Sequence, residues 1–354
     1  MLSFITRKNE ARRLWNRYRR GPIEISERLW VHTFFGLLPT RGGILNPFGK
    51  CINRLNQSMI GPQLRKVTSK LGFKQPVIVI GSAFALPLLD YIPHRLLVYH
   101  CSDDYSAIPS FPAVFKDLES DLMSRCDAVI ATAEELKKAK SHLSKNIFTV
   151  TNGANVEHFA KAGTSQTVVA EDLLNFKRPL VGYVGSVFEW IDQTWIIYAA
   201  NRLPEWSFVF IGPIHTDISR LKILPNVHFL GPRPYEELPR YLKGFDIATV
   251  PFVMDKLTLC VSPVKFYEYL ASGVPIVATR LPDLEPLSDY AYLVNDRDGF
   301  TSALQHAIAE DSPEKRKKRT EIAKNHSWEM RYSQVDAIIN KSFGNKKTKR
   351  TGDA

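Results

Sequence analysis

The chain has 354 residues, 44% of them hydrophobic and 23% charged, an ordinary globular composition long enough for two α/β domains with separate cores. No run of eighteen apolar residues occurs and the N-terminus has no apolar signal core, so the sequence predicts a cytoplasmic chain without a spanning helix. The net charge of +11 sits at the ends, leaving the body without the basic stripe that nucleic acid binding requires, and the four cysteines have no metal-type spacing.

Residues 1–22 read as a basic helix stopped by Gly21-Pro22. Residues 1–20 hold seven Arg/Lys against Glu10, with Leu14, Trp15 and Tyr18 among them at helical spacing. That pattern suits an anionic membrane surface, the plainer reading being a solvated helix. Trp30-Val-His-Thr-Phe-Phe35 predicts a strand and Leu38-Pro-Thr-Arg-Gly-Gly43 a turn. A helix follows over 50–71, then buried strands at Pro76-Val-Ile-Val-Ile-Gly81 and Arg95-Leu-Leu-Val-Tyr-His100. The second of these runs into Cys101-Ser-Asp-Asp-Tyr, a polar loop at the carboxyl end of a strand, where open α/β sheets place their ligands. Asp103 and Asp104 are the candidate catalytic residues there; the competing reading is that they cap the next helix. A helix over 112–125, a strand over 128–132, a helix from Glu134 and a strand over 147–151 lead to the turn Asn152-Gly153. Residues 160–177 lack an apolar period and read as a linker.

The second half starts afresh with Leu180-Val-Gly-Tyr-Val-Gly185-Ser186, a strand breaking at glycine before a helix, as in a phosphate-binding turn. Strands over 207–212 and 227–231 and a helix over 235–244 continue the alternation, which makes the class α/β with parallel sheets, built twice. In residues 247–279, a strand is followed by a short helix and a second strand. Ser262 is expected to cap that helix, Pro263 to fill its first position and Gly273 to end it in a left-handed turn. Lys265 and Glu268, three apart, then share a face near a helix N-terminus, an anion-favouring end. The cation suits a diphosphate and the carboxylate suits ribose hydroxyls, although any solvated helix can carry such a pair. A strand over 291–294, helices over 299–310 and 315–324, and a last helix over 330–342 follow.

The pattern Pro263-x-Lys265-x-x-Glu268-Tyr-Leu-Ala-x-Gly273-x-Pro-Ile-Val resembles the donor-nucleotide segment of GT-B glycosyltransferases, in particular the retaining class with an E-x7-E motif. The match extends in order through Arg125-Cys-Asp-Ala-Val-Ile-Ala-Thr132, Thr151-Asn-Gly-Ala-Asn-Val-Glu-His-Phe159 and Asn226-Val-His-Phe-Leu-Gly-Pro-Arg233 to Pro239, and covers about residues 23–343. By this resemblance Glu268 matches the second glutamate, which holds the donor ribose, and Lys265 lies by the diphosphate; Cys260 stands where the first glutamate would be. The turn Gly185-Ser-Val-Phe-Glu-Trp-Ile-Asp192 lacks the Arg and Lys usual there, like a branch of bacterial members.

The resemblance implies two Rossmann-like domains, an acceptor domain over 23–165 and a donor domain over 166–325. A helix over 326–343 is expected to cross back to the first domain, and a basic tail covers 344–354. The first domain lacks its initial β-α-β, or the natural start lies upstream. It further implies donor-binding roles for Gly185, Ser186, Gly212, Arg233, Ser262, Pro263, Lys265 and Glu268. The reaction implied is metal-independent transfer, with retention, from a UDP- or GDP-linked sugar to a glycan or lipid-linked acceptor, with no cofactor beyond the nucleotide-sugar itself. A catalytically silent relative serving as a scaffold is the alternative, and a nucleotide-sugar epimerase a third reading without an acid/base set.

Overall fold

The computed structural model describes residues 12–34, 49–108, 111 and 114–352, with side chains described to residue 344. The start of the N-terminal helix, the turn at 38–43, the first residues of the helix expected from 112 and the last two residues of the basic tail lie outside the described residues. No helix among the described residues is long and apolar enough to cross a membrane. The chain divides into two compact units, one of Met1–Ile130, Lys140–Phe148 and Ile339–Ala354, the other of Ala131–Ala139 and Thr149–Ile338.

Helix α1 covers residues 12–20. In place of the single strand expected from Trp30 there is a hairpin, β1 (Ile23–Ser26) antiparallel to β2 (Leu29–Val31). Its cause is local: Arg28 adopts φ 61° at the tip and donates its amide to Glu24 Oε1 at 3.0 Å. Then come α2 (Gly49–Lys70), β3 (Val77–Ile80), β4 (Leu96–Cys101), α3 (Val114–Arg125), β5 (Ala128–Ala131), α4 (Glu134–Lys140) and β6 (Ile147–Thr149). The four strands form one sheet in the order β3-β4-β5-β6, with β3 and β4 parallel. Strand β4 is almost wholly buried, which is why its sequence shows no alternation. Asp127, just before β5, accepts the Leu97 amide at 2.8 Å and donates its own to Leu97 O at 2.9 Å, locking β4 to β5.

The second unit contains α5 (Val156–Ala160), β7 (Leu180–Val184), α6 (Gln193–Arg202), β8 (Ser207–Ile211), α7 (Ser219–Lys222), β9 (Val227–Gly231), α8 (Leu238–Gly244) and β10 (Ile247–Val250). After these come α9 (Val264–Ser272), β11 (Ile276–Thr279), β12 (Tyr292–Val294), α10 (Arg297–Ala309) and α11 (Pro313–Ala323), while α12 (Trp328–Gly352) runs on into the residues of the first unit. Within the first unit the Arg95 guanidinium lies over the Phe343 ring at 4.7 Å. The six strands are parallel in the order β12-β11-β10-β7-β8-β9.

The expected linker and the boundary at 165/166 need correction. Phe159, Ala162, Ala170 and Leu173 are buried in the core of the second unit, and the Ala154 amide donates to His326 O at 3.0 Å. Residues Thr149–Ile338 therefore belong together in the second unit. The stretch looks structureless in sequence because its apolar residues reach the core one at a time from short 3₁₀ turns, which leave no helical or strand period.

Two glycines end β7 and β8 side by side. Gly185 donates its amide to Ile211 O at 2.8 Å, and Gly212, at φ 147°, leaves no room for a side chain: a Cβ there would lie 2.0 Å from Gly185 O. Because the obstacle is backbone, Gly212→Ala should cost about 2 kcal/mol of unfolding free energy. Urea unfolding measures this, and an unchanged midpoint would show that the turn is free to move.

Candidate functional site

Strand order reverses between β7 and β10, so successive crossovers leave in opposite directions and the carboxyl ends of these two strands flank a crevice. The turn after β7 is held from both sides. Val187 donates to Pro213 O and His215 to Val187 O, each at 2.9 Å, while Asp192 donates to Pro251 O and Val253 to Trp190 O, each at 2.8 Å. Phe188 stacks on Trp190 at 4.5 Å between ring centroids, and Asp192 caps α6 by accepting the Thr194 and Trp195 amides. Gly185 and Ser186 are thereby fixed beside Gly212 on the carboxyl edge of the sheet.

Helix α9 crosses the same edge. Its buried Tyr269 hydroxyl accepts the Val184 amide at 2.8 Å, replacing a ladder partner at the last residue of β7. Gly273 ends the helix at φ 78° and donates to Tyr269 O and Leu270 O, as the sequence predicts. The start differs. Pro263, with ψ 107°, is the cap residue itself and Val264 the first helical one, so the helix opens without a side-chain cap. Ser262 lies a residue too early and works elsewhere: its hydroxyl accepts the Asn152 amide at 3.1 Å, and the Asn152 side-chain amide donates to Ser262 O at 2.7 Å. Asn152 O in turn accepts from Arg331 Nε at 3.1 Å, and the Tyr267 hydroxyl donates to Asp283 at 2.9 Å.

Lys265 and Glu268 meet as their spacing predicts, Nζ to Oε2 at 2.8 Å. The pair is asymmetric, with the lysine side chain 27% exposed and the glutamate 7%. Burial pushes the Glu268 carboxyl above its ordinary value, and the opposing pull of Lys265 and of His158 is not enough to restore it. Glu268 acts electrostatically on three tyrosines: the neighbouring Tyr269, the buried Tyr183, whose hydroxyl donates to Ser186 O at 3.1 Å, and Tyr235, in the turn after β9. His158 stacks on Tyr235 at 4.4 Å with the rings 11° apart. Gly185, Ser186, Gly212, Pro263, Lys265 and Glu268 are thus brought to one edge, joined by Tyr183, Tyr269, His158 and Tyr235. Sequence reasoning assigned these four no role, although all of them lie inside quoted stretches; a tyrosine that reaches a distant strand end has no local signature.

Arg233 is not available as expected. Its guanidinium donates to Asp172 at 2.8 Å, to the Tyr241 hydroxyl at 2.7 Å and to Leu230 O at 2.6 Å, which ties the 171–173 turn to the turn after β9. In the first unit the two aspartates differ. Asp104 accepts from Lys140 Nζ at 2.7 Å and from Ser106, and these bonds overcome burial to hold its carboxyl below the ordinary value. Lys140 also donates to Glu119 at 2.8 Å, so Asp104 belongs to a buried ion-pair network. Asp103 is pushed upward by burial, against hydrogen bonds from Ser102 and Tyr105, and is the freer of the two.

Residues 178–310 match the family described as glycosyl transferases group 1. The chain is 28% identical over 262 residues to the Bacillus subtilis protein named putative teichuronic acid biosynthesis glycosyltransferase TuaH, which covers 68% of this chain and 65% of that relative, less than two thirds of its length. Among solved structures, sucrose-phosphate synthase from Thermosynechococcus elongatus superposes with a TM-score of 0.67 at 17% identity, covering 92% of this chain and 86% of that one. Anabaena HepE in complex with UDP and glucose gives 0.63 at 16%, covering 87% and 85%. The fold is of the GT-B type, as the resemblance implied.

A carboxyl whose folded value is raised binds its proton more tightly in the native chain, so the associated stability is present at low pH and lost as pH rises through that value. Lys265→Met removes the counter-charge from Glu268 and should cost about 2 kcal/mol at neutral pH, less in acid where Glu268 is protonated. Urea unfolding at both pH values reads this; equal losses would mean that Lys265 acts by packing alone.

Proposed function

We propose, from the match of residues 178–310 to the glycosyl transferases group 1 family, that the protein is a glycosyltransferase taking its sugar from a nucleoside diphosphate donor. The observation carrying this reading is the Lys265–Glu268 pair on an uncapped helix at the strand-order reversal. In this reading the diphosphate lies against the α9 amides and Lys265 with the Gly185-Ser186 turn alongside, and Glu268 accepts from the ribose. As the bond to the sugar breaks, negative charge grows on the leaving diphosphate, where these donors are already oriented. No metal is assigned to the step. The donor is UDP- or GDP-linked and the anomeric configuration is retained, with Cys260 in the place of a carboxylate toward the sugar. Of the first-unit aspartates, Asp103 is assigned to the reacting sugar or acceptor, since Asp104 is already paired.

The name of the Bacillus relative supports a place in cell-surface polysaccharide synthesis, and the acceptor assigned in this reading is a glycan or a lipid-linked one. Such an acceptor suits a chain held peripherally on the cytoplasmic membrane face through its basic N-terminal helix.

Burial of Glu268 costs more than Lys265 returns, so a neutral replacement should weaken the ligand without weakening the fold. Glu268→Gln is expected to lower nucleotide affinity roughly 10- to 100-fold, the worth of one charge-assisted hydrogen bond, while the melting temperature at neutral pH does not fall. Calorimetric titration with UDP and GDP, and nucleotide release from a panel of their sugars with membrane extract, test this. Binding that is unaffected by the substitution, or absent from the wild type, would leave the scaffold reading.

A further inference from the structure

The hairpin β1-β2 forms a sheet of its own, and among the described residues one of its faces is exposed. Ile23 lies directly across from Val31, and a bulge at Ile25 sets Ile25 and Ser26 together opposite Leu29, so the aliphatic residues Ile23, Ile25, Leu29 and Val31 share one face. All four are exposed, from 44% for Ile23 to 60% for Ile25. The opposite face carries Trp30 and His32, both half-buried, and His32 meets Tyr18 of α1 at 6.3 Å between rings. The helix therefore meets the hairpin at the His32 end of that face, while the four aliphatic side chains stay exposed. Exposed arginines stand at both ends of the aliphatic side: Arg19 and Arg20 lead into β1, and Arg28 forms the tip.

Charge selects the occupant. Residues 12–34 hold six arginines against Glu24 and Glu27. Two copies meeting face to face would press these like charges together, whereas an anionic bilayer attracts them and accepts the aliphatic side chains below its headgroups. Trp15, 42% exposed on α1, has the amphipathic ring that favours that boundary. The geometry points to the Ile23/Ile25/Leu29/Val31 face as a membrane-docking surface that enters the interface of an anionic lipid bilayer while the arginines engage its headgroups. This deepens the peripheral-membrane part of the reading above, adding an inserted apolar face to the basic helix, and does not depend on transferase chemistry.

Co-sedimentation of the full chain with vesicles of phosphatidylglycerol and phosphatidylcholine, and with phosphatidylcholine alone, tests it. Binding is expected only to the anionic vesicles. Ile25→Asp/Leu29→Asp should abolish it at unchanged melting temperature, since both side chains already face water, and Ile25→Leu/Leu29→Met should retain it. Arg13→Gln/Arg17→Gln/Arg20→Gln should weaken it roughly a hundredfold, about fivefold per arginine. If the aspartate variant binds like the wild type while the glutamine variant does not, the basic helix acts alone and the hairpin proposal fails. If equilibrium sedimentation shows a dimer that the aspartate variant loses, a second copy covers the face and the proposal likewise fails.

Discussion

The hydrogen bond from the Val184 amide to the Tyr269 hydroxyl joins the last residue of the central strand to the helix that follows its outer neighbour, β10. A strand that ends in an open crevice leaves its final amide without a ladder partner, and a buried orphan amide is costly. Tyr269 meets that need from α9, so satisfying the strand end and positioning the helix are one event. Glu268 and Lys265 take their places from it, one residue and one turn away. The paired glycines after β7 and β8 serve the same geometry, because only bare backbone can come that close to the opening.

Electrostatics runs against stability at Glu268 and with it at pairs in each unit. Asp104 with Lys140, and Arg233 with Asp172, are carboxylates whose charges are answered by a cation and further hydrogen bonds. Glu268 has its cation, yet burial still wins. A carboxyl held in a costly state beside an uncapped helix end is a candidate binding group, whereas the answered pairs hold turns in place.

The basic segment at the N-terminus has a different economy. Its helix sets Tyr18 against the hairpin and keeps Leu14, Trp15 and its arginines exposed, and the hairpin does the same with four aliphatic residues. A two-stranded sheet so small has little core of its own, so the surface it presents dominates its properties.

The alternation of strands and helices, the left-handed stop at Gly273 and the meeting of Lys265 with Glu268 were legible in the sequence, because each depends on backbone preferences and spacing within a turn or two. The order of the strands was not, and it is that order that makes one edge of the sheet a crevice. Nor could sequence reveal that Ser262 would accept an amide 110 residues away, that Arg233 would be consumed by Asp172, or that Lys140 would claim Asp104 and leave Asp103. A polar side chain bonds to whatever the folded chain brings within reach, and that proximity comes from packing between distant elements rather than from any local pattern.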